Sequence, residues 1–136
     1  MAYDKADWHL EGEFPKDLDH QAAYTHTGLY LAWAMLAGLG SEEVEVDFGE
    51  DIEGLRGRSV PPARLYQTMD GSFTKEELSE DGNAFTESYF GQYLKDYQAT
   101  LCKGLPSLYH AANSWESFDK LKPVLDARLA AWQAEQ

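Results

Sequence analysis

From His20 to Gly40 the chain carries no Asp, Glu, Lys or Arg. The rest of the polypeptide is dense in charge, with 24 acidic and 11 basic side chains, so this stretch is expected to sit where water is scarce. It is long enough to raise the question of a membrane span. Its content argues against one: His20, Gln21, Thr25, His26 and Thr27 are polar, and much of the apolar content is alanine. The spacing predicts a buried central helix from about Asp19 to Ala37, with Asp19 as its N-cap. Ala22, His26, Leu29, Trp33 and Leu36 follow helical spacing on one side, and Ala23, Tyr30, Ala34 and Ala37 on a neighbouring side. With two such sides, other elements must surround the helix. Gly38 and Gly40 end it, because glycine accepts the left-handed backbone of a C-cap.

The flanking segments read as shorter pieces. Residues 1–18 look irregular, with a short edge strand expected around Trp8 to Leu10 and a stop at Pro15. Short helices are expected over Glu50 to Arg56 and, opened by Pro61 and Pro62, over Pro61 to Met69. Asp70-Gly71 is a turn, and Thr74 with Glu77 forms a capping box. A long helix spans Asn83 to Leu101, where Phe85, Tyr89, Tyr93, Tyr97 and Leu101 recur every four residues; Gly91 is a candidate interruption. A final helix follows Asn113, read as an N-cap partnered by Glu116, and buries Trp115, Phe118, Leu121, Leu125, Leu129 and Trp132. Pro123 inside that pattern predicts a kink or two abutting helices. The sum is a compact, mainly α single domain over 1–136 with room for a minor short-strand element.

Charge narrows the function. The formal net charge is -13, a field that repels nucleic-acid phosphates and anionic lipids and speeds encounter with a basic protein. Solubility alone is the competing explanation. The acids concentrate between Ser41 and Glu53: Glu42, Glu43, Glu45, Asp47, Glu50, Asp51 and Glu53, interleaved with Val44, Val46, Phe48 and Ile52. The alternation of Val44, Val46 and Phe48 with acids has the period of a strand, and both an extended segment and a short irregular helix fit it. The candidate partner-binding residues are Glu42, Glu43, Glu45, Val46, Asp47, Phe48, Glu50 and Asp51, with Val46 or Phe48 as an apolar anchor.

Catalytic patterns are absent. The four histidines, His9, His20, His26 and His110, form no HExxH or HxH, and no CxxC is present. His20 and His26, six apart, point in different directions on one helix, so a joint metal site needs help from the N-terminal segment, for example His9. The plainer reading of His26 is a hydrogen-bonded core histidine. Cys102, the single cysteine, excludes an internal disulfide, suits a reducing cytoplasm and reads as a packing residue. Ser107 lies in Leu-Pro-Ser-Leu, which is not a nucleophile elbow. No cofactor, metal or catalytic residue is therefore assigned. The N-terminus shows no secretion signal.

Several blocks resemble a family of small, largely uncharacterised bacterial proteins: Tyr3-Asp4-Lys5-Ala6-Asp7-Trp8-His9, Phe14-Pro15, and Thr25 through Ala34 with its Thr-His-x-Gly-x-Tyr-Leu-Ala-Trp-Ala pattern. Gly82-Asn83-Ala84-Phe85 with Tyr89-Phe90, Leu105 through Tyr109, and Trp115 through Leu125 extend the resemblance over most of the chain. That family consists of domains of unknown function and is associated with immunity proteins encoded beside secreted bacterial toxins. The resemblance implies a cytoplasmic protein that neutralises a toxin by binding it, and it supplies no catalytic or binding residues. The expected function is thus a non-enzymatic, acidic immunity protein that blocks a basic toxin active site, without contact to nucleic acid or membrane. The alternatives are a small metal- or histidine-dependent enzyme built near His9, His26 and the N-terminal acids, and a structural or adaptor subunit.

Overall fold

A computed structural model describes residues 2–136. The chain runs β1 (Ala2–Lys5), α1 (Ala6–Leu10), a 3-10 turn (His20–Tyr24), α2 (Thr25–Leu36), α3 (Glu42–Asp47), α4 (Gly49–Arg56), α5 (Arg64–Thr68), β2 (Ser72–Thr74), α6 (Glu80–Leu101) and α7 (Trp115–Ala134). Two further 3-10 turns precede α6 and α7. The fold is mainly α with one two-stranded sheet, as the sequence predicts.

The uncharged stretch is the axis of the molecule. Every residue of α2 from Thr25 to Met35 is buried. Around it lie α4, α5, α6 and α7, which removes the need for a single polar face. Asp19 does act as a cap, its side chain accepting from the Gln21 amide, but what it caps is the 3-10 turn that leads into α2. Gly38, at φ +79°, follows the helix end as the left-handed residue expected there. No helix among the described residues is long and apolar enough to cross a membrane.

The core is unusually aromatic. Tyr30, Trp33, Tyr66, Phe73, Phe85, Tyr93, Tyr97 and Phe118 are all almost fully buried. The four-residue ladder of α6 supplies Phe85, Tyr89, Tyr93 and Tyr97, and ring centroids of Tyr30 and Tyr93 stand 4.9 Å apart. Most of the buried hydroxyls have partners: Tyr30 meets Thr86 at 2.9 Å, and Tyr93 donates to the His26 carbonyl at 2.6 Å. Gly28 is required where α2 meets the Pro61–Pro62 turn, since a Cβ there would stand 2.6 Å from the Ala63 Cβ.

Several expectations are corrected. The segment Trp8–Leu10 is helical, within α1, and the edge strand lies earlier, at Ala2–Lys5. It pairs antiparallel with Ser72–Thr74, with a register shift between Ala2 and Asp4. Adjacent residues Tyr3 and Asp4 both find interior partners there, Tyr3 against Phe73 and Asp4 against Thr27. Residues 42–47, which the sequence leaves open between strand and short helix, form a helix, capped by the Ser41 hydroxyl accepting from Val44 N at 3.1 Å. α6 begins at Glu80, three residues before Asn83, capped by Ser79, and runs through Gly91 without a break. α5 is confined to Arg64–Thr68, the two prolines forming the turn before it. Ser114, not Asn113, caps α7, whose helix continues across Pro123. Asn113 is instead spent on the Ala63 amide, accepting at 2.9 Å. The Thr74–Glu77 capping box is formed as expected.

Candidate functional site

The acidic segment folds into two consecutive short helices, and this sorts its side chains. Val44, Ile52 and Leu55 turn inward and are buried. Glu42, Glu43, Asp47, Glu50 and Glu53 are exposed, while Glu45, Phe48 and Asp51 are half-buried. Val46, the expected anchor, is 81% exposed. Phe48, the other, packs against the core and cannot protrude. Arg56 pairs with Glu45 at 3.3 Å and with Glu53. Among the described residues Glu42, Glu43, Asp47, Glu50 and Asp51 have no ion-pair partner.

Two grooves open on this face. One runs between α3 and the β2 region; Val44, Phe48, Met69 and Leu78 form its floor, and Glu43, Asp47, Glu76 and Glu77 its walls. Lys75 also lines it, but its ammonium is held by Glu87 at 2.6 Å. Glu77 is committed to capping Thr74, and burial raises its carboxyl above the usual range. The second groove lies between α3 and α4 and is lined by Glu45, Val46, Asp47, Glu50, Asp51 and Arg56 among others. Of the eight residues predicted to bind a partner, all but Glu42 line one groove or the other.

A separate cluster is assembled from distant parts of the chain. β1 supplies Asp4, α1 supplies His9 and the first turn of α2 supplies His26. His9 Nε2 lies 2.8 Å from Asp4 Oδ1 and 3.2 Å from His26 Nε2, and His26 Nε2 lies 3.5 Å from Asp4 Oδ2. Two of the three members are held from behind. The Tyr109 hydroxyl meets His9 Nδ1 at 2.7 Å, and Thr27 donates to Asp4 Oδ2 at 2.6 Å. Asp4 and His26 are buried, and His9 is partly exposed beside Trp8. Burial alone would raise the Asp4 carboxyl, but hydrogen bonds from His26, His9 and Thr27 outweigh it and hold the group well below the usual carboxylate range. Burial pushes the His26 imidazole down, against the opposing pull of Asp4. His26 is thus the core histidine the sequence implies, yet its Nδ1 is buried with no hydrogen-bond partner. His20, on the 3-10 turn, is exposed and takes no part.

These shifts have one sign. A neutral, buried His26 and an ionised, buried Asp4 both bind fewer protons folded than unfolded, so stability rises with pH where either titrates in the unfolded chain. For His26 the contribution is complete above the unfolded pKa of about 6.5 and is lost below it, at up to about 1.4 kcal/mol per pH unit. For Asp4 the loss begins below about pH 4. Thermal melts should therefore show a fall in Tm from pH 7 to pH 5, and His26→Gln should flatten that slope. A slope equally steep in His26→Gln would assign it to other groups.

Ser107, His110 and Asp17 also form a chain, His110 Nδ1 meeting Ser107 Oγ at 2.8 Å and Nε2 meeting Asp17 Oδ2 at 3.1 Å. Its parts have structural roles: the Ser107 hydroxyl caps the 3-10 turn, accepting from the Tyr109 amide, and Asp17 is exposed. The chain lies away from both acidic grooves. Cys102 is buried with its thiol pushed up by burial, which suits packing rather than nucleophilic attack.

Sequence reasoning placed His9, His26 and the N-terminal acids together, and missed Asp4 and Tyr109 as the particular partners. Asp4 and Tyr109 sit in blocks that stand out as sequence, but nothing local shows that they converge. A family model described as "Domain of unknown function (DUF7832)" matches residues 2–111. No curated protein and no solved structure matches the chain.

Proposed function

The chain belongs to this DUF7832 family, and from that premise we propose that it is a non-enzymatic binding protein whose α3–α4 face docks a basic protein. The observation that carries the reading is the groove with an apolar floor of Val44, Phe48, Met69 and Leu78 under the exposed acids Glu43, Asp47 and Glu76. Such a surface suits a segment that presents Lys or Arg together with an apolar side chain. The floor supplies the desolvated centre on which affinity usually rests, and the surrounding charge sets on-rate and specificity. Val46 extends the apolar contact onto the neighbouring groove. The partner class that fits is a secreted toxin with a basic active-site cleft, met in the cytoplasm and blocked by occlusion. The association of the family the chain resembles with immunity proteins and the net charge of -13 support this finer reading.

The test begins with co-purification of the chain with the product of a neighbouring gene in its source bacterium. Against that purified partner, Glu43→Lys combined with Asp47→Lys should weaken binding at least tenfold, with the loss mainly in the association rate and smaller at high salt. If alanine at Glu43, Glu45, Asp47 and Asp51 leaves the affinity unchanged, this face is not the interface.

A further inference from the structure

We propose that Asp4, His9 and His26 form a binding site for a single divalent transition-metal ion, with Zn²⁺ as the probe of choice. The inference does not depend on the acidic face, which is carried by other elements. Three facts of geometry support it.

The first is spacing. Ligand atoms around Zn²⁺ lie about 2.0–2.1 Å from the metal, which places tetrahedral neighbours about 3.3 Å from one another. The three separations here are 2.8, 3.2 and 3.5 Å. They join the two Nε2 atoms to one another and to different oxygens of Asp4, Oδ1 for His9 and Oδ2 for His26, so one ligand atom from each residue lies within reach of a single ion.

The second is the back-support. A metal-bound imidazole usually has its other nitrogen hydrogen-bonded, and a bound carboxylate is usually hydrogen-bonded in turn. Tyr109 meets the far nitrogen of His9, and Thr27 donates to Asp4. With Nε2 on the metal, His9 carries its proton on Nδ1 and donates it to the Tyr109 oxygen.

The third is proton placement. Two imidazole nitrogens face one another at 3.2 Å beside one carboxylate. If both carry protons, two donors are crowded together. If His26 Nε2 accepts from His9, the His26 Nδ1–H is buried with no acceptor; if His26 Nε2 donates, Nδ1 is a buried lone pair with no donor. A cation takes both Nε2 lone pairs at once and so explains why the two ring nitrogens face one another beside a carboxylate; the His26 Nδ1–H stays buried without an acceptor with or without the ion.

Two nitrogens and one carboxylate oxygen form a donor set suited to Zn²⁺ or a neighbouring first-row ion, with a fourth position left for solvent. The partly exposed His9 edge gives water and the ion an approach. The ion would tie β1 and α1 to the central helix.

Chelator-stripped protein titrated with ZnCl₂ by calorimetry should bind one equivalent and gain thermal stability. Co²⁺ in its place should give the intense visible bands of a four-coordinate ion. His9→Gln should abolish those bands, and Tyr109→Phe should weaken Zn²⁺ binding about tenfold. His20→Gln, a histidine outside the cluster, should behave as wild type. The absence of stoichiometric binding by the wild type, wild-type affinity in His9→Gln, or loss of binding in His20→Gln would each overturn the site. Should His9→Gln fail to fold, the wild-type Co²⁺ spectrum and the Tyr109→Phe titration decide the same question.

Discussion

Trp33→Ala should lower stability by about 3–5 kcal/mol and Tm by roughly 12–20 °C. Trp33 is the largest fully buried side chain and sits on the central helix. Its ring packs at 5.6 Å from Tyr30 and 5.8 Å from Phe85, and its indole N–H donates to Asp126 at 2.9 Å. Truncation removes apolar burial, opens a cavity between α2, α6 and α7, and strips one donor from Asp126. The neighbours are rings held by other rings, so they cannot collapse far into the gap. Trp33→Phe keeps most of the apolar volume and loses the N–H, and its cost should lie clearly between those of wild type and alanine. Urea denaturation of the three proteins measures the order. A loss below about 1.5 kcal/mol for Trp33→Ala would show a core far more plastic than close packing allows.

Asp4→Ala should cost a comparable amount, about 3–5 kcal/mol, for a different reason. Asp4 is 7% exposed and gathers His9, His26 and the Thr27 hydroxyl around its two oxygens. Its removal leaves the buried His26 and Thr27 and the partly exposed His9 without their common acceptor. Asp4→Asn keeps the shape but turns an amide donor toward groups that also donate, so it should be intermediate. It should also lose the part of the acid sensitivity that sets in below about pH 4. Melts of the three proteins between pH 3 and pH 8 separate these effects. An Asp4→Asn protein with wild-type stability across that range would mean that the carboxylate's charge plays no part in holding the cluster.

Local patterns in the sequence were sufficient where the deciding contacts are local. The Thr74–Glu77 box spans four residues and formed as read. The middle of the uncharged run, Thr25 to Met35, became the buried axis, because the absence of charge does not depend on what packs against it. Reading failed where a distant partner decides. Ala2–Lys5 is a strand because Ser72–Thr74 lies beside it. Asn113 and Ser114 are both good caps, and Asn113 was taken by the Ala63 amide fifty residues earlier. Alternating Val44, Val46 and Phe48 left strand and short helix open, and the Ser41 cap with Val44 buried and Val46 turned to solvent decides for the helix. The acidic residues were legible as a group. The cluster of Asp4, His9 and His26 was legible only as a neighbourhood of His9, His26 and the N-terminal acids, since which acid joins it depends on β1 and α1 folding back onto the start of α2.

The boundary of the matched family region has its own consequence. It stops at residue 111, just short of the last helix. That helix contributes Phe118, Leu121 and Leu125 to the interior and the carboxylate that holds the Trp33 indole. The shared stretch is therefore not a self-contained folding unit in this chain: its hydrophobic wall is completed from outside its own limits. A chain cut at residue 111 would lose those side chains and leave the Trp33 indole N–H without its acceptor.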